Sequence, residues 1–154
     1  MTVTPTDLER AVLRSIVDWA LDIARDKGAP VFTAAILKDG AEFLRAENRV
    51  EETNDPTRHA EVEAISRAGT QLGRSDLSDC TLIASCQPCE MCLAAMRWAK
   101  IPRVIFAATQ DRIGDDYFRF PGLGIADFRD NAGGDFDFCG GLCEDLALPL
   151  YRRD

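Results

Sequence analysis

The chain has 154 residues, 46% of them apolar, with 18 Lys and Arg against 26 Asp and Glu, a net charge of −8. That length and apolar content suit one globular core, which excludes disorder, and no apolar run approaches the roughly 20 residues of a membrane span. The acids gather toward the end: residues 1–110 hold 16 acids and 13 bases, residues 111–154 hold 10 acids and 5 bases, a poor surface for a nucleic-acid backbone.

Met1–Asp7 carries no basic stretch followed by an apolar one, so a cytoplasmic protein without a membrane anchor is expected. Leu8, Val12, Ile16, Trp19 and Ile23 recur at helical spacing, and Thr6 with Glu9 has capping-box spacing, which predicts a helix from Asp7 to about Lys27, stopped by Gly28 and Pro30. Residues 31–37 and 41–46 read as two strands joined by Lys38-Asp39-Gly40, an Asp-Gly hairpin signal. Asn48–Thr57 is polar and reads as a loop, ending in the turn signal Asn54-Asp55-Pro56-Thr57.

A second helix is predicted over His59–Leu72, where Ala60, Ala64, Ile65, Ala68 and Leu72 share a face. Thr81–Ser85 follows as a short buried strand, then a helix from about Cys89 to Lys100 introduced by Pro88, then a strand over Arg103–Ala108. This order indicates an α/β domain of three layers, α/β/α, around a central mixed sheet with its later strands parallel. From Gln110 onward glycines interrupt every pattern, and only short helices and loops are expected. The whole chain, 1–154, is expected to be a single domain.

Chemistry concentrates in two places, His59-Ala60-Glu61 and Pro88-Cys89-Glu90-Met91-Cys92. Cys89 and Cys92 share a helix face near an N-terminus, where free N–H groups and the helix dipole favour thiolates. Two thiolates and the imidazole of His59, the one histidine in the chain, leave the fourth corner of a tetrahedral zinc site open, as catalytic sites do. Two sulfur ligands weaken the metal as a Lewis acid, so a neighbouring base is needed, and Glu61 can supply it.

Other readings stay open on these residues alone. Cys-x-x-Cys also serves as a redox pair or half of a structural zinc site, and Cys139 with Cys143 offers a second pair of undetermined role. His59 could instead activate a nucleophilic Cys89 or Cys86. A zinc module that binds a protein partner through its aromatic tail is the non-enzymatic alternative.

The two motifs, with Asn54-Asp55-Pro56-Thr57-Arg58 before the first and Ser85-Cys86-Gln87 before the second, resemble the zinc-dependent cytidine/deoxycytidylate deaminase superfamily over residues 7–112. The similarity is nearest the branch of guanine deaminases and tRNA adenosine deaminases. The resemblance implies a cytidine-deaminase-like fold and one Zn2+ per chain held by His59, Cys89 and Cys92. It implies Glu61 as proton shuttle, Asn48 and the backbone N–H of Ala60 as substrate contacts, and a homodimer, with Trp98 and Met96 as contact or core. Asn48 also suits a simple turn at a strand end. The implied reaction is hydrolytic deamination of a ring amine with release of ammonia.

In guanine deaminases of this type an acid after the last recognisable strand and an aromatic near the C-terminus complete the pocket. Candidates are Asp111, Asp115 and Asp116 with Tyr117, Phe118 and Tyr151, unless the acids only solubilise the surface. The segment 112–154 diverges from the guanine deaminase pattern, notably at Phe118-Arg119-Phe120-Pro121. A guanine-type base is therefore expected as the small-molecule partner, with cytosine, pterin or triazine as alternatives and tRNA adenosine disfavoured by charge.

Overall fold

A computed structural model describes residues 1–151. In chain order the elements are α1 (Asp7–Lys27), β1 (Thr33–Lys38), β2 (Ala41–Glu47), α2 (Val50–Thr53), α3 (Ala60–Leu72), β3 (Cys80–Cys86), α4 (Glu90–Trp98), β4 (Arg103–Ala108), α5 (Gln110–Ile113), α6 (Ile125–Asn131), β5 (Asp137–Cys139) and α7 (Glu144–Ala147), followed by a 3-10 turn over Leu148–Leu150. The sheet order is β2-β1-β3-β4-β5. β1 is antiparallel to both β2 and β3, whereas β3–β4 and β4–β5 are parallel. The sheet is mixed, as expected.

Alternation along the central strands divides the core between two faces. Ala34, Ile36, Leu82, Ala84, Val104 and Phe106 pack with α3 and α4, while Ala35, Leu37, Ile83, Ile105 and Ala107 pack with α1 and α7. Apolar on both sides, β3 and β4 are covered by helices in three layers. Both helices of the first face follow a strand or loop that delivers their N-termini to the carboxyl end of β3, where ligands bind in open α/β sheets.

Local signals account for the element ends. The Thr6 hydroxyl accepts from Glu9 N at 3.1 Å and Thr6 N donates to Glu9 Oε2 at 2.7 Å, closing the capping box of α1. Asp39 and Gly40 both have positive φ, 53° and 75°, as a primed hairpin turn requires.

Three expectations are corrected. The polar stretch after β2 contains the short helix α2, started by Asn48 Oδ1 accepting from Val50 N at 3.0 Å and ended by left-handed Asn54. α4 ends at Trp98, two residues before Lys100, because Lys100 turns left-handed (φ 61°) and Ile101 N reaches back to Met96 O at 3.1 Å. The tail holds a fifth strand: Asp137–Cys139 pairs with Arg103–Ile105. Glycines on both sides hide a strand of three residues, though Phe136 and Phe138, 2% and 7% exposed, point the same way into the core.

Candidate active site and metal centre

His59 is the N-cap of α3 and Cys89 the N-cap of α4, so two helix N-termini converge on one point. Cys92 lies one turn into α4 and is fully buried. The three donor atoms form a nearly equilateral triangle: His59 Nδ1 is 3.5 Å from Cys89 Sγ and 3.6 Å from Cys92 Sγ, and the sulfurs are 3.7 Å apart.

Those distances test the metal reading. Zinc–sulfur bonds of about 2.3 Å and zinc–nitrogen bonds of about 2.05 Å at tetrahedral angles place ligand atoms about 3.8 Å apart for S···S and about 3.6 Å for S···N. The triangle fits. Near-equal spacing of His59 from both sulfurs also argues against a dyad in which the imidazole activates one thiol. Cys139 and Cys143 fall outside this donor group and pack on the α1 face of the sheet, so neither supplies a fourth ligand.

Electrostatics in the cluster favours charge on one of the two sulfurs, Cys89. Cys89 is drawn down to about 4, chiefly by the hydrogen bond from Cys92, with burial opposing and His59 assisting. The same contact, with burial, pushes Cys92 up, and the Cys89 hydrogen bond raises His59. A bound divalent cation favours the deprotonated form of every ligand. Glu61, 5% exposed in the first turn of α3, stays outside the triangle. Burial raises its carboxyl to about 7, helped by the negative Cys89, the range suited to a group that takes and returns a proton near neutrality.

The triangle opens onto a cavity of about 470 Å³, the scale of a small-molecule site. Asn48, Glu61, Asp116 and Tyr117 line it, joined by Phe32, Arg119 and Phe120. Phe32 and Tyr117 meet edge to face at 5.4 Å. Behind them the Tyr151 ring packs against Phe32 in a tilted contact at 5.1 Å and its hydroxyl donates to Ser85 Oγ at 2.6 Å, and Tyr117 donates to the Tyr151 carbonyl at 2.9 Å. Tyr151 thus props the aromatic wall without lining it.

Other candidates lie elsewhere. Asp111 is exposed on α5, away from the cavity. Asp115 is outside the lining, its carboxylate accepting from Gln110 Nε2 at 3.4 Å. Phe118, 5% exposed, turns its ring into the protein interior. Ala60 has a fully buried side chain, and its contribution is restricted to a backbone N–H in the first turn of α3. Asn48 lines the cavity, and its Oδ1 accepts from Val50 N at the start of α2.

Sequence reasoning passed over Phe32, Arg119, Phe120 and Glu90. Phe32 read as ordinary strand core, and Arg119 with Phe120 only as a departure from a pattern. The one available signal was position, since Glu90 sits between the two thiols.

Comparison with known proteins follows the same boundaries. A model of the cytidine and deoxycytidylate deaminase zinc-binding region matches residues 8–108. Guanine deaminase of Bacillus subtilis (strain 168) is 51% identical over 81 residues, 53% of this chain and 51% of that protein. A tRNA-specific adenosine deaminase of Aquifex aeolicus is 40% identical over 91 residues, 59% of this chain and 60% of that protein. The match thus spans about half the length of the first relative and less than two thirds of the second. The solved guanine deaminase from Nitrosomonas europaea superposes with a TM-score of 0.78 at 26% identity, covering 97% of this chain and 84% of that chain.

Proposed function

The chain belongs to the cytidine and deoxycytidylate deaminase family, and from that premise we propose that it hydrolyses the exocyclic amine of a small free base, guanine before other aminated heterocycles. The observation that carries this reading is the donor triangle with a buried carboxyl beside it, opening on a cavity of small-molecule size.

Zinc bound by His59, Cys89 and Cys92 would supply Lewis acidity at the open corner, lowering the pKa of a water molecule there. Glu61 accepts a proton from that water and delivers it to the ring nitrogen next to the amine-bearing carbon, making the carbon electrophilic. Once water's oxygen is bonded to the carbon, Glu61 takes the remaining proton of that hydroxyl and passes it to the departing amine, so the C–N bond breaks, ammonia leaves and a carbonyl remains. For guanine the balance is one water consumed, one ammonia released and xanthine formed. Asn48 offers its Nδ2 to a ring acceptor, because Val50 N already occupies Oδ1. Asp116 suits the N–H edge of a guanine-type ring, and Phe32, Tyr117 and Phe120 form walls against which a planar ring can pack. The N–H of Ala60 adds a donor from a helix N-terminus.

Three further assignments go with this reading. The segment 112–154, of which 152–154 lie outside the described residues, completes the pocket of a single deaminase domain through Asp116, Tyr117, Arg119 and Phe120. A second copy docks at Trp98, 87% exposed beside a groove between α3 and α4, whereas Met96 is fully buried core. The compartment we assign is the cytoplasm, because none of the six cysteines is joined in a disulfide, the usual state in reducing surroundings. A tRNA loop is disfavoured by the net charge of −8.

The deciding experiment is an ammonia-release screen of the zinc-loaded protein on guanine, cytosine, pterins, triazines, their nucleosides and an adenosine-containing tRNA loop. Release from guanine above all others is expected. Release only from the RNA, or from none, would overturn the substrate assignment.

A further inference from the structure

Glu90 is the first residue of α4, between the two cysteine ligands in sequence and turned away from them. Its Oε1 accepts backbone N–H groups from two consecutive residues of the divergent tail, Arg119 and Phe120. Both of those residues line the cavity.

The loop bearing them has unequal anchorage. At its base, Gln110 Nε2 donates to Asp115 Oδ1 at 3.4 Å and to the Pro121 carbonyl at 3.3 Å, and Gln110 N donates to Gln87 Oε1 at 3.0 Å. Phe118 is 5% exposed and sunk in the interior. The crest is different: Phe120 is 63% exposed, so burial does not fix it, and Arg119 Nη1 donates within its own loop, to the Asp116 and Phe118 carbonyls at 3.2 Å each. The carboxylate of Glu90 ties this crest to the metal-bearing helix, and hydrogen bonds accepted by a charged oxygen are the stronger kind.

The geometry points to Glu90 as a positioning residue for the deamination proposed above: it holds Arg119 and Phe120 against the bound ring while taking no part in metal binding or proton transfer. It couples the part of the chain that the family model matches, residues 8–108, to the tail beyond it, so Glu90 acts with the loop that carries Arg119 and Phe120. The assignment rests on the deaminase reading for its catalytic consequence, but the tether itself is readable without turnover.

The test compares Glu90→Ala and Glu90→Gln with the zinc-loaded parent. Glu90→Ala removes the acceptor. Its Arg119 and Phe120 amides should exchange with solvent at least about tenfold faster by NMR while β3 and β4 amides keep their rates, because a lost hydrogen bond frees those protons locally. The KM for guanine should rise about tenfold with kcat within about threefold and zinc content unchanged, the pattern of lost ground-state placement. Glu90→Gln keeps an oxygen acceptor and should restore most of both. Unchanged exchange in Glu90→Ala, faster exchange with an unchanged KM, or a Gln variant as impaired as the Ala variant would each overturn the proposal. A parent that releases no ammonia from any heterocycle would instead sink the deaminase reading, with the exchange rates still deciding the tether.

Discussion

Glu61 Oε2 lies 3.4 Å from Cys92 Sγ, in contact with a ligand atom yet outside the donor triangle. A carboxylate placed there borders the metal site, yet its oxygens do not join the three donor atoms as a fourth. Catalysis and metal binding are therefore assigned to adjacent groups with separable phenotypes.

Glu61→Gln should retain zinc stoichiometry and melting temperature and lose about 10³-fold in kcat, within the 10²–10⁴ range of a general acid–base group. Cys89→Ala should show the reverse order of cause, with zinc lost in metal analysis and activity lost as a result. Zinc loss in the Glu61 variant would make that carboxylate a ligand and reject the division.

Asn48→Asp keeps an oxygen for Val50 N and so keeps the start of α2, but it exchanges the cavity-facing donor for an acceptor. KM for guanine should rise about 10- to 100-fold, the cost of about 1–3 kcal/mol for a polar group left mismatched against its ligand. An unchanged KM would leave Asn48 with its turn-forming role alone.

Glu9 is 4% exposed, and its carboxylate receives Arg103 Nε at 2.6 Å, Arg103 Nη2 at 2.8 Å and Thr6 N at 2.7 Å. Burial alone would raise its pKa, but Arg103 and Thr6 together hold it below the ordinary value of 4.5. A depressed pKa in the folded state contributes stability that is complete above the ordinary value and drains away as pH falls through the folded one. Glu9→Gln should cost about 2 kcal/mol in urea unfolding at pH 7, and the two stability curves should converge in acid. A gap that widens on acidification would contradict the assignment.

Gly140 sits where a Cβ would fall 2.1 Å from Cε2 of the Phe106 ring. Gly140→Ala should destabilise the protein by about 1–3 kcal/mol, the usual penalty of overpacking, and Phe106→Leu in the same chain should recover part of it. Equal melting temperatures for parent and Gly140→Ala would show that β4 and the tail yield more than the packing implies.

How much was legible followed sequence distance. Thr6 and Glu9, Asp39 and Gly40, and Cys89 and Cys92 act within a few residues of one another, so their roles are written in local spacing. His59 lies 30 residues from Cys89, and the chemistry of the three residues left a redox pair or a His–Cys dyad open; the resemblance to the deaminase motifs joined them as one ligand set. The tail resisted for the opposite reason. Nothing local distinguishes Asp116, which lines the cavity, from Asp111 and Asp115, which do not; the path of the segment that carries them depends on contacts distant in sequence, Glu144 with Thr109 and Arg112, Gln87 with Gln110, and Glu90 with Arg119 and Phe120. β5 was missed because three residues carry too little periodicity to outweigh the glycines around them.

The convergence of α3 and α4 on one point makes the metal a cross-brace between segments that are 30 residues apart along the backbone. A ligand that binds the native state alone raises its stability by about 4 kcal/mol at a thousandfold excess over its dissociation constant. Supply of the ion and survival of the fold are thus thermodynamically linked, and under zinc starvation the chain would be exposed to proteolysis before any question of turnover arose.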